Sequence, residues 1–213
     1  MNAPIPREAI AGVVLAGGLG RRMGAAAEGL DKGLRPFRGR PMAAHAIERL
    51  APQVGSVAIN ANRHLDAWRA FGLPVFSDAI EGFAGPLAGL HAAMTHATAP
   101  WIATVPCDSP FLPPDLVARL AAAASAAGAQ VAVARTGAQP HPVFALVERS
   151  LRDDLDAFLA TGRRRIDAWY APLRVVEVDF DDEAAFRNIN TAEELARWER
   201  DEPGAPAVPP SPR

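Results

Sequence analysis

Short apolar runs alternate with helix-like segments through the first two thirds of this 213-residue chain. Five runs have the length and composition of buried strands, and they lie at residues 10–15, 56–61, 73–76, 101–105 and 130–134. A helix-like segment follows each of the first four before the next run begins. Such alternation is typical of an α/β fold in which helices cover both faces of a mainly parallel sheet. The sequence therefore predicts three layers with the sheet in the middle.

One domain is predicted over residues 10–200. Residues 1–9 are predicted to be a flexible lead-in, and the proline-rich residues 201–213 have few apolar side chains to bury and are predicted to be disordered. A net charge of −2 provides no general attraction to nucleic acid or to an anionic membrane. No run reaches the roughly 18 apolar residues of a membrane span, and the N-terminus lacks an apolar signal core. The single cysteine cannot form an internal disulfide, so a cytoplasmic location is expected.

A glycine-rich turn follows the first predicted strand. Gly17, Gly18 and Gly20 lie where missing Cβ atoms let the backbone turn sharply and bring its N–H groups against a ligand. Arg22 and Lys32 follow, and Lys32 is the only lysine among the 22 lysine and arginine residues. An ammonium acts as a compact point charge against phosphate. The spacing excludes both the G-x-G-x-x-G and the G-x-x-x-x-G-K-[ST] sites, so the turn is either another nucleotide site or a tight connection without a ligand.

Small or polar residues lie where four of the predicted strands end. Gly17 follows the first strand, Asn60 lies at the end of the second, Asp78 follows the third and Asp108 follows the fourth. In open α/β sheets, ligands bind outside the carboxyl ends of the strands. We therefore expect these residues to converge on one edge of the sheet and to form a binding site there.

Asp108 is the candidate ligand for a divalent metal. Mg²⁺ prefers hard oxygen ligands and often bridges a protein carboxylate to substrate phosphates. The Asp-Ser-Pro sequence that begins at Asp108 would also suit a capped turn. Cys107 has no second cysteine or histidine at ligand spacing, which favours a buried structural thiol over a nucleophile. His141 precedes a proline in a predicted loop, and the absence of an H-E-x-x-H pattern favours a surface or core role over metal binding.

Asparagine is rare in this chain. Apart from Asn2, it occurs as two N-x-N pairs at strand or loop ends: Asn60 and Asn62, and Asn188 and Asn190. An amide offers one acceptor and two donors, which suit a base edge, a ribose or a phosphate, and turn formation is the alternative. Thr191 with Glu194 three residues later predicts a capping box at the start of the last helix.

Eight sequence motifs resemble those of the molybdenum cofactor guanylyltransferase family, within the wider group of nucleotidyltransferases. They are LAGG at 15–18, RRMG at 21–24, DKGL at 31–34, NANR at 60–63, GPLAGL at 85–90, PCDSPFLPPDL at 106–116, HPVFAL at 141–146 and NINTAEEL at 188–195. LAGG alone occurs in many nucleotidyltransferases, whereas its combination with DKGL, NANR and NINT is specific. The resemblance covers about residues 10–199 and implies a Rossmann-like three-layer fold.

The resemblance also implies roles for individual residues on the nucleotide side. Four residues of the first motif would hold the guanine nucleotide, chiefly through their backbone: Leu15, Ala16, Gly17 and Gly18. Lys32 would act in catalysis by contacting the phosphates, and Arg22 would support the phosphate loop. Asn60 and Asp78 would add further contacts with the nucleotide.

The implied reaction transfers GMP from GTP to the terminal phosphate of molybdenum-loaded molybdopterin and releases pyrophosphate. Asp108 would bind both the nucleotide and Mg²⁺, while Asn188 and Asn190 would lie on the molybdopterin side. The acceptor phosphate attacks the α-phosphorus directly, so the enzyme aligns the substrates and neutralises charge without a protein nucleophile. Molybdoenzyme apoproteins or their chaperones are expected as partners that receive the product.

Three other functions fit parts of the sequence. A sister enzyme that transfers CMP to the same pterin tends to carry LAAG, whereas Gly17 gives LAGG here. A nucleotide-sugar pyrophosphorylase would need a longer chain and would lack DKGL. A nucleotide- or cofactor-binding chaperone without turnover would not need both Lys32 and Asp108.

The chain departs from the family pattern at residues 25–30. These residues lengthen the connection between RMG and DKG and bear on the placement of Lys32.

Overall fold

The structure is a computed structural model that describes residues 3–17, 30–80 and 85–200. Its strands are β1 (Ile10–Leu15), β2 (Pro36–Phe37), β3 (Arg40–Pro41), β4 (Ser56–Asn60), β5 (Val75–Phe76), β6 (Trp101–Pro106), β7 (Val131–Thr136), β8 (Gln139–Glu148) and β9 (Val175–Asp179). Its α-helices are α1 (Met42–Leu50), α2 (Leu65–Arg69), α3 (Pro86–His96), α4 (Leu116–Ala127), α5 (Arg152–Ala160), α6 (Ile166–Tyr170) and α7 (Ala192–Arg200). Single 3₁₀ turns lie at Arg7–Ala9, Lys32–Leu34, Ala51–Gln53, Arg149–Leu151 and Glu183–Phe186.

Seven of these strands form one sheet in the order β5-β4-β1-β6-β8-β7-β9. Neighbouring strands are parallel from β5 to β6 and again between β7 and β9, whereas β8 is antiparallel to both of its neighbours. Within this sheet β8 alone runs against the other strands. The mainly parallel α/β fold predicted from the sequence is therefore confirmed. β2 and β3 pair separately as a short antiparallel hairpin.

Two apolar cores lie on opposite faces of the sheet, because successive side chains of a strand point to opposite sides. In β1, Ile10 and Val14 join the core that α1 and α4 cover. Val13 joins the second core, to which α3, α5 and α6 contribute. The sheet is thus covered on both faces, which confirms the predicted three-layer architecture.

The β7–β8 hairpin differs from the sequence-based expectation. The sequence predicted a strand at residues 130–134 and a loop at His141, but β8 begins before His141 and includes it. The two strands are joined through Gly137, whose φ is 54°, and their register shifts once along the hairpin. Near this shift, Val143 O accepts a 2.7 Å hydrogen bond from Thr104 Oγ1 of β6. Placing His141 in a loop was wrong because the hairpin pairing continues past it.

Two element boundaries also differ from the prediction. β5 covers only Val75–Phe76, because Pro74 has no N–H to donate to a strand partner. The sequence also predicts a helix over residues 148–159, but this segment begins as a 3₁₀ turn at Arg149–Leu151 and continues as α5. Across the part of the chain that the structure describes, no helix has both the length and the apolar character needed to cross a membrane.

Candidate active site

The carboxyl ends of β4, β1 and β6 lie side by side at one edge of the sheet. Leu15 is in register with Asn60 on one side and with Pro106 on the other. Backbone hydrogen bonds continue past the strand ends, from Ala16 N to Asn60 O at 2.8 Å and from Cys107 N to Leu15 O at 3.1 Å. The chain passes from β1 to β4 on one side and later returns to β6 on the other, so this edge is a topological switch point. The predicted convergence of the strand ends is therefore confirmed.

A cavity of about 210 Å³ opens at this edge. The residues that line it are Leu15, Ala16, Gly17, Lys32, Asn60, Gly85, Pro86, Pro106, Cys107, Asp108, Val143 and Asn188. Because Pro86 is the first residue of α3, the N-terminus of this helix borders the cavity. A helix N-terminus favours an anionic ligand through its unpaired N–H groups and its dipole. The lining also includes the side chains of one lysine, one aspartate and two asparagines, which are suited to a phosphate-bearing ligand.

Lys32 lies between Asp108 and Asn190. Its Nζ donates a hydrogen bond of 2.7 Å to Asn190 Oδ1 and lies 3.5 Å from Asp108 Oδ2. The side chains of Lys32 and Asp108 are only 17% and 12% exposed, so water screens their charges weakly. Lys32 thus reaches both of the other site segments even though residues 25–30 lengthen the connection before it.

Burial raises the pKa values of two groups that follow β6, the Asp108 carboxyl and the Cys107 thiol. Removal from water raises the pKa of the Asp108 carboxyl, and the Lys32 ammonium opposes that rise. A second positive charge near Asp108 would favour its ionised form further. Burial also raises the pKa of the Cys107 thiol, and the negative charge of Asp108 adds to the effect. Cys107 is therefore a neutral, buried thiol, as the sequence predicted, and is unsuited to act as a nucleophile.

Asn60, Asn62 and Asp78 form a hydrogen-bond network beside the cavity. Asn60 Nδ2 donates to Asp78 Oδ1 at 2.9 Å, and Asn62 Nδ2 donates to Asp78 Oδ2 at 2.8 Å. Asn62 Oδ1 in turn accepts a 2.8 Å hydrogen bond from Asp78 N. Two glycines pack on this network: a Cβ at Gly17 would lie 2.9 Å from Asn62 Nδ2, and a Cβ at Gly89 would lie 2.5 Å from Asn60 Oδ1. The network therefore fixes Asp78 and requires close backbone approach at both glycines.

The Asn188–Asn190 segment is attached to the end of β6. Ile189 is fully buried in a small apolar cluster with β2 and the start of α1, and its N–H donates to Asp108 O at 2.9 Å. Asn188 Oδ1 accepts a 2.6 Å hydrogen bond from Ser109 Oγ. Both asparagines are consequently held close to Asp108.

The predicted capping box fixes the end of the same segment. Glu194 N donates to Thr191 Oγ1 at 3.0 Å. Glu194 Oε2 accepts hydrogen bonds from Asn190 N at 2.7 Å and from Thr191 N at 3.1 Å. The start of α7 therefore holds the backbone of Asn190, whose side chain contacts Lys32.

Asp31 is a site residue that sequence reasoning missed. It is only 4% exposed. Its Oδ1 accepts a 2.7 Å hydrogen bond from Arg63 Nη2, and its Oδ2 accepts one of 3.1 Å from Trp68 Nε1 and lies 3.2 Å from His64 Nδ1. In the sequence, Asp31 directly precedes the only lysine, and Arg63 and His64 directly follow Asn60-Ala61-Asn62. No sequence pattern indicates that Asp31 contacts Arg63 or His64.

The described residues offer a metal ion only a small protein ligand set. In the ranges 3–17, 30–80 and 85–200, no group of three or more histidine, cysteine, aspartate or glutamate side chains could hold a metal. Asp108 and the amide oxygens of Asn188 and Asn190 are hard oxygen donors. His141 instead packs in β8, with Nε2 2.8 Å from Thr136 Oγ1 and its ring stacked on Phe186 at 4.7 Å between centroids.

The sequence matches proteins of one enzyme family. Residues 12–175 match the MobA-like NTP transferase domain. A Cupriavidus taiwanensis protein named molybdenum cofactor guanylyltransferase is 52% identical over 200 residues, which cover 92% of this chain and 98% of that protein. The chain belongs to the molybdenum cofactor guanylyltransferase family. A Ralstonia nicotianae guanylyltransferase is likewise 52% identical over 200 residues, covering 90% of this chain and 96% of that protein.

Solved structures share the fold of this guanylyltransferase-family chain, which is a nucleotidyltransferase. Molybdopterin-guanine dinucleotide biosynthesis protein A from Archaeoglobus fulgidus matches with a TM-score of 0.72 and 26% identity, over 89% of this chain and 96% of that chain. The manganese complex of a Mycobacterium tuberculosis protein matches with a TM-score of 0.61 and 20% identity, over 88% and 96% of the two chains.

Some residues to which the guanylyltransferase resemblance assigns roles lie outside the described part of the chain. They are Gly18 and Arg22; residues 25–29 of the longer connection, which have no assigned role, also lie outside it. The roles of Gly18 and Arg22 stay predictions. The other residues with expected roles lie at the same sheet edge: Leu15, Ala16, Gly17, Lys32, Asn60, Asp78, Asp108, Asn188 and Asn190. Their individual contacts with a nucleotide or pterin also stay predictions.

Proposed function

We propose that the protein transfers GMP from GTP to the terminal phosphate of molybdenum-loaded molybdopterin, releasing pyrophosphate and forming molybdopterin guanine dinucleotide. The observation that carries the proposal is the position of Lys32 Nζ, 2.7 Å from Asn190 and 3.5 Å from Asp108, where β1 and β6 end. An ammonium in a weakly hydrated cavity stabilises phosphate charge much better than one in water. The names of relatives 52% identical to the chain support guanine transfer to this pterin.

The nucleotide is proposed to lie along the end of β1. Ala16 N is already bonded to Asn60 O, so a phosphate would meet the backbone from Gly17 onward, next to the N-terminus of α3. From the described residues, each carboxylate oxygen of Asp78 accepts one amide donor, and a carboxylate oxygen can accept a second. Asp78 is therefore proposed to accept hydrogen bonds from the N–H groups of guanine, held in place by Asn60 and Asn62.

A divalent ion, proposed to be Mg²⁺, would be held by Asp108 together with phosphate oxygens of GTP. The donor chemistry fits, because Asp108 supplies a carboxylate oxygen and Mg²⁺ commonly completes its shell with substrate phosphates and water. Such an ion would supply charge neutralisation at the reacting phosphates. Lys32 shares that task and opposes the rise that burial causes in the pKa of the Asp108 carboxyl.

The chain is proposed to align two substrates without reacting covalently with either. An oxygen of the acceptor phosphate attacks the α-phosphorus of GTP, and the bond to the pyrophosphate leaving group breaks. Lys32 carries positive charge to the phosphates, Asn190 orients Lys32, and Asn188 lies on the side where the pterin is expected. The neutral thiol of Cys107 is consistent with this direct transfer.

Pyrophosphate release with different nucleotides tests the proposal. Purified protein is incubated with Mg²⁺, molybdenum-loaded molybdopterin and GTP, CTP, ATP or UTP, with a parallel series that lacks the pterin. We expect release with GTP that depends on the pterin. Release specific to CTP would instead support the cytidylyltransferase alternative, and no release with any nucleotide would support a binding or chaperone role.

Several expectations from the sequence accompany this proposal. GTP and molybdenum-loaded molybdopterin are the proposed substrates, and transfer of the product to molybdoenzyme apoproteins or their chaperones stays a prediction. The cytoplasmic location and the division into a lead-in, a domain at residues 10–200 and a tail stay predictions as well.

A further inference from the structure

We propose that Asp31 and Arg63 are positioning residues that hold Lys32 in its place toward the phosphates. The inference rests on the proposed function, because it concerns how the same site is assembled. Neither Asp31 nor Arg63 is among the residues that line the cavity, so both would act through Lys32.

The Asp31 carboxylate is buried, and the partners that the structure describes for it lie on the segment after β4. Its side chain is 3% exposed; it accepts hydrogen bonds from Arg63 and Trp68, and His64 Nδ1 lies 3.2 Å from its Oδ2. The Trp68 ring is fully buried in the core and stacks on Phe71. The Arg63 side chain is 40% exposed, so its loss would leave the buried Asp31 carboxylate without this neutralising charge, which is costly.

The backbone around Lys32 is fixed on both sides of the residue. Asp31 has extended backbone angles, with φ −63° and ψ 145°, and Lys32 begins a 3₁₀ turn. On the other side, a Cβ at Gly33 would lie 2.7 Å from Trp68 Cη2 and 2.9 Å from Cys107 Sγ, so the chain is pressed against the core there. With Asp31 held by Arg63 and Trp68, and Gly33 packed on Trp68, the chain is held on both sides of Lys32.

The ion pair between Asp31 and Arg63 also keeps Asp31 from competing with Asp108 for the Lys32 ammonium. Asp31 directly precedes Lys32 in sequence, and Asp108 is the carboxylate that faces Lys32 Nζ. Arg63 Nη2 neutralises Asp31 at 2.7 Å and leaves the charge of Lys32 for Asp108 and for phosphate. Without Arg63, Asp31 would be a second buried anion next to Lys32 and would draw the ammonium away from the cavity.

Asp31 lies after the longer connection at residues 25–30. Among the residues that the structure describes, contacts that place Lys32 come from residues 63–68 and from Cys107. The position of Lys32 should consequently tolerate different lengths of the preceding connection.

The test uses the fact that Lys32 is the only lysine of the chain. Protein grown with ¹³C,¹⁵N-labelled lysine gives one lysine spin system, which reports the surroundings of Lys32 without any need for activity. Arg63→Ala and Arg63→Gln are compared with wild type, and Arg69→Ala serves as the matched control because Arg69 pairs with exposed Asp66 on the same helix. Arg63→Gln retains a donor and gives a folded comparison if Arg63→Ala unfolds.

We expect the side-chain signals of Lys32 to shift toward those of free lysine in both Arg63 variants and to stay at wild-type positions in Arg69→Ala. GMP transfer should fall by about 10²-fold in the Arg63 variants, the scale of a misplacement of about 1 Å. Wild-type lysine signals in folded Arg63 variants, or equal shifts in Arg69→Ala, would overturn the proposal.

A double-mutant cycle distinguishes failure of this inference from failure of the proposed function. MgGTP affinity is measured for Arg63→Gln with Lys32 intact and again in a Lys32→Ala background. A loss that disappears in the Lys32→Ala background is the expected result, whereas an equal loss in both backgrounds would show that Arg63 does not act through Lys32. Full transfer activity in Lys32→Ala would count against the proposed function and leave the lysine spectra as the test of positioning.

Discussion

Lys32 donates a 2.7 Å hydrogen bond to Asn190, which lies 158 positions later in the chain. This bond joins the DKGL and NINT motifs, and Asp108, 3.5 Å from the same ammonium, adds the segment after β6. Three segments that are distant in sequence therefore meet at one positive charge. Under the proposed function, neutralisation of phosphate would depend on how firmly the Lys32 ammonium is held.

Substitution of Asn190 tests whether its side chain holds the Lys32 ammonium in position. Asn190→Ala removes the acceptor at 2.7 Å and should let Lys32 move, so MgGTP affinity measured without the pterin should fall by roughly tenfold, within the ~10²-fold scale of a misplaced binding group. Arg187→Ala is the control, because Arg187 is exposed and pairs with Glu183. Wild-type MgGTP affinity in Asn190→Ala would contradict the proposed role of this bond.

Substitution of Gly89 on α3 tests how its packing supports the hydrogen-bond network of Asn60, Asn62 and Asp78. A Cβ at this position would lie 2.5 Å from Asn60 Oδ1 and 2.9 Å from Leu15 Cδ2, so Gly89→Ala must displace Asn60 from Asp78. We expect a stability loss of about 1–3 kcal/mol, as for other overpacked cores, together with weaker GTP binding. Chemical denaturation and GTP titration measure the two effects, with Thr95→Ala on the same helix as control. Unchanged GTP binding in Gly89→Ala would argue against a nucleotide role for the network.

Because the pKa of His141 is lowered in the folded protein, we expect this residue to reduce stability in mild acid. Partial burial lowers its pKa below the ordinary 6.5, although the charge of Glu183 opposes the shift. As the pH falls below about 6.5, the unfolded chain takes up a proton that the folded protein resists, so the free energy of unfolding falls. Thermal unfolding at pH 7.5 and pH 5.5 should therefore show a larger loss for wild type than for His141→Gln. An equal loss in both proteins would mean that His141 does not contribute.

Shortening the connection before Asp31 tests how Lys32 is placed. Deletion of residues 25–29 leaves Asp31, Gly33 and their partners in the chain, so we expect the lysine signals to keep their wild-type positions. The measurement is the single lysine spin system, compared with that of an Arg63→Gln protein. Lysine signals that move as far in the deletion as in Arg63→Gln would show that the connection itself positions Lys32.

The sheet edge could be predicted from sequence because its determinants are local. Buried strands appear as short apolar runs, and a parallel sheet brings the residues after such runs to one edge. Gly17, Asn60 and Asp108 were expected at this edge for that reason, and they line one cavity. The Thr191–Glu194 capping box was predictable because its two members are only three residues apart.

The determinants that sequence did not reveal are pairings between distant segments. Asp31 receives its donors from residues 63–68, and no local pattern connects a buried carboxylate to partners so far along the chain. β8 was underestimated because Pro140 and Pro142 disfavour a central strand, whereas the structure accommodates them near a register shift. Both cases depend on tertiary contacts that a single sequence does not specify.

Formation of the dinucleotide itself is the most direct measurement. Wild type, Lys32→Ala and Asp108→Ala are incubated with Mg²⁺, molybdenum-loaded molybdopterin and GTP labelled at the α-phosphate, and label in the pterin product is followed by mass. Wild type should form molybdopterin guanine dinucleotide, and both variants should fold yet lose transfer. Transfer by Asp108→Ala or Lys32→Ala at a rate near that of wild type would contradict the assignment of this site.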